Sequence, residues 1–172
     1  LKAWLDKGGV LVRFAGPNLA RDAGIADPML PVKLRRGNRV VGGSLSWGKP
    51  ESLAPFAKTS PFYGLAIPED VYVRRQVLAE PSLDLASKTW AELSDGTPLV
   101  TAERRGEGWL VLVHTTADDT WADLSFSGVF VEMLRRLITV SRGVTVSGSK
   151  KLLPVASLDA FGKLGDPPKG IF

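Results

Sequence analysis

The sequence has no cysteine, two methionines, two tyrosines and one histidine among its 172 residues. The missing thiols exclude disulfides, thiolate-bound zinc and a cysteine nucleophile within these residues. Long apolar runs are absent as well. None approaches the ~20 residues a membrane-spanning helix needs, and no signal-peptide arrangement opens the chain, so no span is expected within this segment. Neither sign of charge dominates strongly: 22 Lys and Arg against 18 Asp and Glu leave a net charge of +4. The basic residues come as dispersed doublets, Arg35-Arg36, Arg74-Arg75, Arg104-Arg105, Arg135-Arg136 and Lys150-Lys151. A nucleic-acid footprint needs clustering on one face, so solvated surface is the reading and no nucleic-acid partner is expected.

With 44% hydrophobic and 23% charged residues, one globular domain is the default. Leu1 already stands inside a helical phrase, LKAWLDKGG, from which a piece of a longer polypeptide is expected. Residues 1–146 read as a single α/β domain with a mixed sheet, and residues 147–172, lacking any sustained period, as a C-terminal linker or strap.

Within the domain, Leu1, Trp4 and Leu5 recur at helical spacing, Gly8-Gly9 stops the helix, and VLVRF at 10–14 follows as a strand buried on both faces, with Arg13 the exception. Gly16-Pro17-Asn18 opens what reads as a loop. Six prolines break residues 27–70 into short pieces, with strands expected near 39–47 and 71–79 and a helical turn around ESLAPFA at 51–57. TWAEL at 89–93 is a further short strand. Residues 97–115 form a hairpin at Arg105-Gly106-Glu107-Gly108, its two glycines supplying positive φ. Its second arm is continuously apolar and should be central, whereas the first alternates and should lie nearer an edge. A helix over about 125–142, capped by Ser125 or Asp123, carries an apolar stripe of Phe126, Val129, Phe130, Met133, Leu134, Leu137 and Ile138, pairs Glu132 with Arg136, and stops at Arg142-Gly143.

Two phrases, LKAWLDKGGVLVRFAGPNL and DGTPLVTAERRGEGWLVLVHTTADDTWADLSFSGVFVEMLRRL, resemble the class I glutamine amidotransferase-like (flavodoxin-like) soluble domain of bacterial BatA-type, aerotolerance-operon-like membrane proteins. The resemblance covers about 60 residues. It implies a flavodoxin-like core whose first strands lie outside these residues. It also implies a parent anchored in the inner membrane with this domain held in solution, on the periplasmic side. Working class I amidotransferases place a cysteine at a turn after one strand, and a histidine followed two residues on by glutamate after another. Here the turn is Ala15-Gly16-Pro17, and two residues beyond His114 stands Thr116. The resemblance therefore implies a degenerate site.

His114 is nevertheless the one imidazole available for chemistry, and it ends an apolar strand just before Asp118 and Asp119. Nucleophile, base and orienting acid are all needed for acyl transfer, and no nucleophile accompanies it. A sharper alternative is a divergent metal-assisted hydrolase or ligand-binding domain centred on His114, Asp118 and Asp119, with Asp123 as a further oxygen ligand and Trp121 beside them, at the strand end where open α/β sheets bind ligands. The spacing matches no ligand motif, and aspartates ahead of a helix more often serve as caps. Trp121 reads more plainly as an anchor of the helix to the sheet. The sequence therefore favours a non-catalytic interaction or scaffold domain without cofactor or metal, whose partner is another region of the parent or an unidentified protein.

Overall fold

A run of five apolar residues without alternation, Trp109 to Val113, needs cover on both faces, and the fold supplies it. The computed structural model describes residues 1–25, 27–41 and 49–141, with the backbone of two short strands nearer the C-terminus. In chain order, α1 (Lys2–Asp6), β1 (Val10–Phe14) and α2 (Pro17–Asp22) precede the short strands β2 (Arg39–Val40), β3 (Glu51–Ser52), β4 (Tyr72–Val73) and β5 (Arg75–Gln76). Then come α3 (Leu85–Lys88), β6 (Thr89–Glu92), β7 (Pro98–Arg105), β8 (Gly108–Val113), α4 (Gly128–Val140), β9 (Ser157–Leu158) and β10 (Leu164–Gly165).

The main sheet has the order β1-β8-β7-β6, with β1 parallel to β8 and the other neighbours antiparallel, so the domain is mixed α/β. The registers place Val10, Val12, Phe14, Val100, Ala102, Trp109, Val111 and Val113 on the face that packs with Val129, Met133 and Leu137 of α4. Each fully buried valine, methionine or leucine of this set contributes about 1.5–3 kcal/mol, and the half-buried β1 residues less. Leu112 belongs to the opposite face, under Ala20 and Ala23 of the α2 region, with Leu34, Val77 and Trp121. No helix among the described residues is long and apolar enough to cross a membrane.

Several expectations are corrected. Among the described residues β1 is the margin of the sheet, and all five of its residues are half-buried rather than enclosed on both faces. β7 is interior, because TWAEL pairs along its far side as β6. The stretch after Gly16 is helical, since Pro17 is preset for the first position of a helix and Leu19, Ala20 and Ala23 then face the sheet. The strand expected at 71–79 is two short strands, β4 and β5, separated where the Arg74 and Arg75 amides turn to the Trp121 carbonyl (2.7 and 3.1 Å). Of the strand expected at 39–47, β2 is its described start, and 42–47 lie outside the described residues. ESLAPFA forms no helical turn: Glu51 and Ser52 pair with β4, and Leu53 bridges to Leu93.

The last helix begins at Gly128 and is capped by Ser127, whose hydroxyl accepts from the Phe130 amide at 3.3 Å. Asp123 does not cap it because Arg74 holds its carboxylate. Phe126 and Ile138 leave the expected buried stripe and are 76% and 71% exposed. Glu132 pairs with Arg135 at 2.5 Å rather than with Arg136. The expected stop at Arg142-Gly143 and most of the 147–172 strap lie outside the described residues.

Candidate functional site

His114 follows β8 directly and is wholly buried. Its backbone joins two neighbours, with its amide donating to Leu99 O and its carbonyl accepting from Val77 N, both at 2.8 Å. A carbonyl can only accept, so the 2.7 Å contact to Val77 O fixes the proton on Nδ1. Nε2 then accepts from the Thr101 hydroxyl at 2.9 Å. Burial pushes the imidazole pKa down to about 4, against the Val77 carbonyl, which on its own would raise it. The ring is neutral at pH 7, and neither nitrogen is left to bind a metal or take a proton from a substrate.

The strand end that the sequence marks as a ligand crevice is filled by the chain's own residues 75–77. The Thr115 hydroxyl donates to Arg75 O at 2.9 Å, and Gln76 and Val77 are fully buried. Gln76 Nε2 donates to Thr97 Oγ1 at 2.8 Å, and Thr97 in turn donates to Asp95 at 2.7 Å. These polar groups tie residues 75–77 to 95–97 and 114–115, and Gln76 Oε1 is the buried atom among them left without a hydrogen-bond partner.

The remaining sequence candidates are not gathered around the imidazole. Asp118 is exposed and accepts from the Thr120 hydroxyl (2.5 Å) and amide (2.8 Å), bonds that lower its pKa. Asp119 is exposed, and its carbonyl accepts from Arg74 at 3.3 Å. Asp123 receives both guanidinium nitrogens of Arg74, at 2.8 and 2.9 Å. Trp121 is buried with Leu112 and α2, on the sheet face opposite α4, so it anchors the loop rather than the helix. Among the described residues no three acidic or histidine side chains form a group able to hold a metal ion.

The Arg74–Asp123 pair is bidentate but about one-third exposed, so solvent screens much of its charge. Arg74→Ala is expected to lower stability by about 1 kcal/mol or less in urea unfolding. A loss several times larger would show that the pair does more than fasten this loop.

A concavity of about 980 Å³ lies elsewhere, between the α2 side of the sheet and the segments around Pro31 and Pro81. Arg13 and Glu103 line it from β1 and β7. Several of its charged side chains pair with one another. Arg13 meets Asp27 at 2.6 Å, Lys88 meets Asp84 at 2.7 Å and Glu103 at 3.0 Å, and Arg105 meets Glu103 at 2.6 Å. Burial works to raise the Asp27 pKa, but the bonds from Arg13 and the Met29 amide outweigh it and hold the carboxyl below its ordinary range. Arg13, the one charge within an apolar strand, is the sequence signal for this cleft. These ion pairs make that part of it a salt-bridged seam, while Lys33 and Glu80 line it outside those pairs. Comparison of the chain with protein-family models, curated proteins and solved structures finds no match.

Proposed function

We propose that this chain is a non-catalytic interaction or scaffold module of a membrane-anchored bacterial protein, flavodoxin-like in its sheet and degenerate at the position of an amidotransferase site. The observation that carries the reading is His114, whose two ring nitrogens are spent on Val77 and Thr101 inside the core. A base that accepts no proton and faces no nucleophile has no acyl transfer to promote. Anchoring in the inner membrane and exposure on the periplasmic side rest on the BatA-type resemblance.

The test is direct. The purified chain is offered glutamine, activated carboxylic esters and phosphoesters, alone and with Mg²⁺, Mn²⁺ or Zn²⁺. No turnover above that of an Asp118→Ala/Asp119→Ala double variant is expected, and no metal should raise the melting temperature of the parent chain above that of the variant. Turnover or metal-dependent stabilisation that disappears in the double variant would instead establish a divergent hydrolase around these carboxylates.

A further inference from the structure

Lys33 and Glu80 both line the cleft of about 980 Å³, and the backbone brings them face to face. Glu80 N donates to Lys33 O and Arg35 N to Leu78 O, both at 2.8 Å, on either side of the antiparallel Leu34–Ala79 bridge. The two charged residues therefore stand opposite each other on adjacent segments, with Cβ atoms about 5 Å apart and side chains on the same side of the ladder. Opposite charges so placed attract across the strands. These two nevertheless form no ion pair with each other, and neither side chain bonds to another described residue.

The other charges of the lining are satisfied by protein partners. Arg13 is held by Asp27, Lys88 by Asp84 and Glu103, Arg105 by Glu103, and Asp22 by Arg21. Among the described residues the cleft thus offers a visiting molecule one open cation and one open acid, side by side. A ligand with a single charge is drawn to one and repelled by the other, whereas a molecule carrying both an ammonium and a carboxylate meets both. Apolar surface lies in the same cleft. Leu30 and Val32 are half-buried and rest on the Leu34, Val77 and Leu112 cluster, and Ile25 is 69% exposed. The volume falls within the range of about 300–1,000 Å³ typical of sites for small organic molecules.

We infer that this cleft binds a free α-amino acid with an apolar side chain, its carboxylate on Lys33, its ammonium on Glu80 and its side chain against Leu30, Val32 and Ile25. Two charge-assisted bonds fix the orientation, and the apolar contact supplies the rest of the affinity. In an α-amino acid a single carbon separates the two charged groups, a spacing that suits partners on adjacent segments. The termini of a peptide stand farther apart, by about 3.3 Å for each added residue, so a free amino acid fits this pair better. None of these side chains bonds to His114, whose ring meets Val77 and Thr101. The site therefore makes no use of the imidazole, and it goes beyond the non-catalytic reading without resting on it.

The experiment titrates the full chain, labelled with ¹⁵N, with L-phenylalanine, with phenethylamine, which lacks the carboxylate, and with 3-phenylpropanoate, which lacks the ammonium. Phenylalanine is expected to bind at least about tenfold more tightly than either analogue, since each analogue forfeits one charge-assisted bond. The largest amide shifts should fall at residues 30–34 and 80–82. Lys33→Met and Glu80→Gln, both at exposed positions, should each reduce phenylalanine to the affinity of the analogues. Equal affinity for the three compounds overturns the proposal, as do the absence of any saturable shift, shifts confined to other parts of the chain, or undiminished binding in both variants. If a variant fails to fold, the three-compound comparison on the parent chain still decides. Turnover in the assays above would sink the non-catalytic reading and leave this titration standing, so the two failures are distinguishable.

Discussion

Replacing His114 with alanine is expected to lower the unfolding free energy by about 4 kcal/mol, a loss large enough to unfold a marginal domain. Two contributions add. Removing a fully buried ring leaves a cavity, and it strands the Val77 carbonyl and the Thr101 hydroxyl inside the core, where an unpaired polar group costs about 1–3 kcal/mol. Urea unfolding monitored by tryptophan fluorescence measures the sum. A catalytic histidine on an accessible surface would lose less than about 1 kcal/mol by the same substitution, and that outcome would overturn the buried-tie account.

The same residue sets a pH dependence. In the unfolded chain the imidazole titrates near its ordinary 6.5, and in the folded chain at about 4. Between these values the unfolded chain binds a proton that the folded chain refuses, so acid favours unfolding. The contribution is complete above about pH 6.5 and lost as pH falls toward 4, about 3 kcal/mol in all. His114→Gln, which cannot titrate, should remove this part of the slope even though it lowers stability throughout. A slope identical to that of the parent chain would place its source in other groups.

These effects were only half legible beforehand. The hairpin at 98–113, the strand at 89–92 and a long amphipathic helix followed from apolar periodicity and from Gly106, whose φ of +57° suits a tight turn. The fate of His114 did not, because the residues that absorb it, Val77 and Thr101, stand 37 and 13 positions away. Local pattern carries no information about which distant segment closes over a strand end. The helix start is hidden for the same reason, since Arg74, 49 positions from Asp123, removes that carboxylate from competition for the cap. The edge position of β1 was also hidden: VLVRF has the composition of an enclosed parallel strand, and composition does not say how many neighbours the sheet provides.

Gly108→Ala is expected to lower stability by at least about 3 kcal/mol or to prevent folding, even though no unusual backbone angle is at stake. A Cβ at this position would stand 2.2 Å from both Leu5 O and Gly9 O. Both are backbone atoms, and they belong to the joint between α1 and β1 against which the hairpin closes. Glu107 N donates to Asp6 O at 3.1 Å and Trp109 N to Gly9 O at 3.0 Å, so the obstruction cannot retreat without breaking the attachments on either side of it. Overpacking in a yielding core costs about 1–3 kcal/mol, and a contact with fixed carbonyls belongs above that range. Gly128→Ala is the control: no atom lies within 4 Å of its added Cβ, and it opens α4, so its thermal midpoint should be unchanged or slightly higher. If Gly108→Ala melts with the parent chain, the hairpin does not seat against the α1–β1 joint, and the parallel pairing of β1 with β8 loses its anchor.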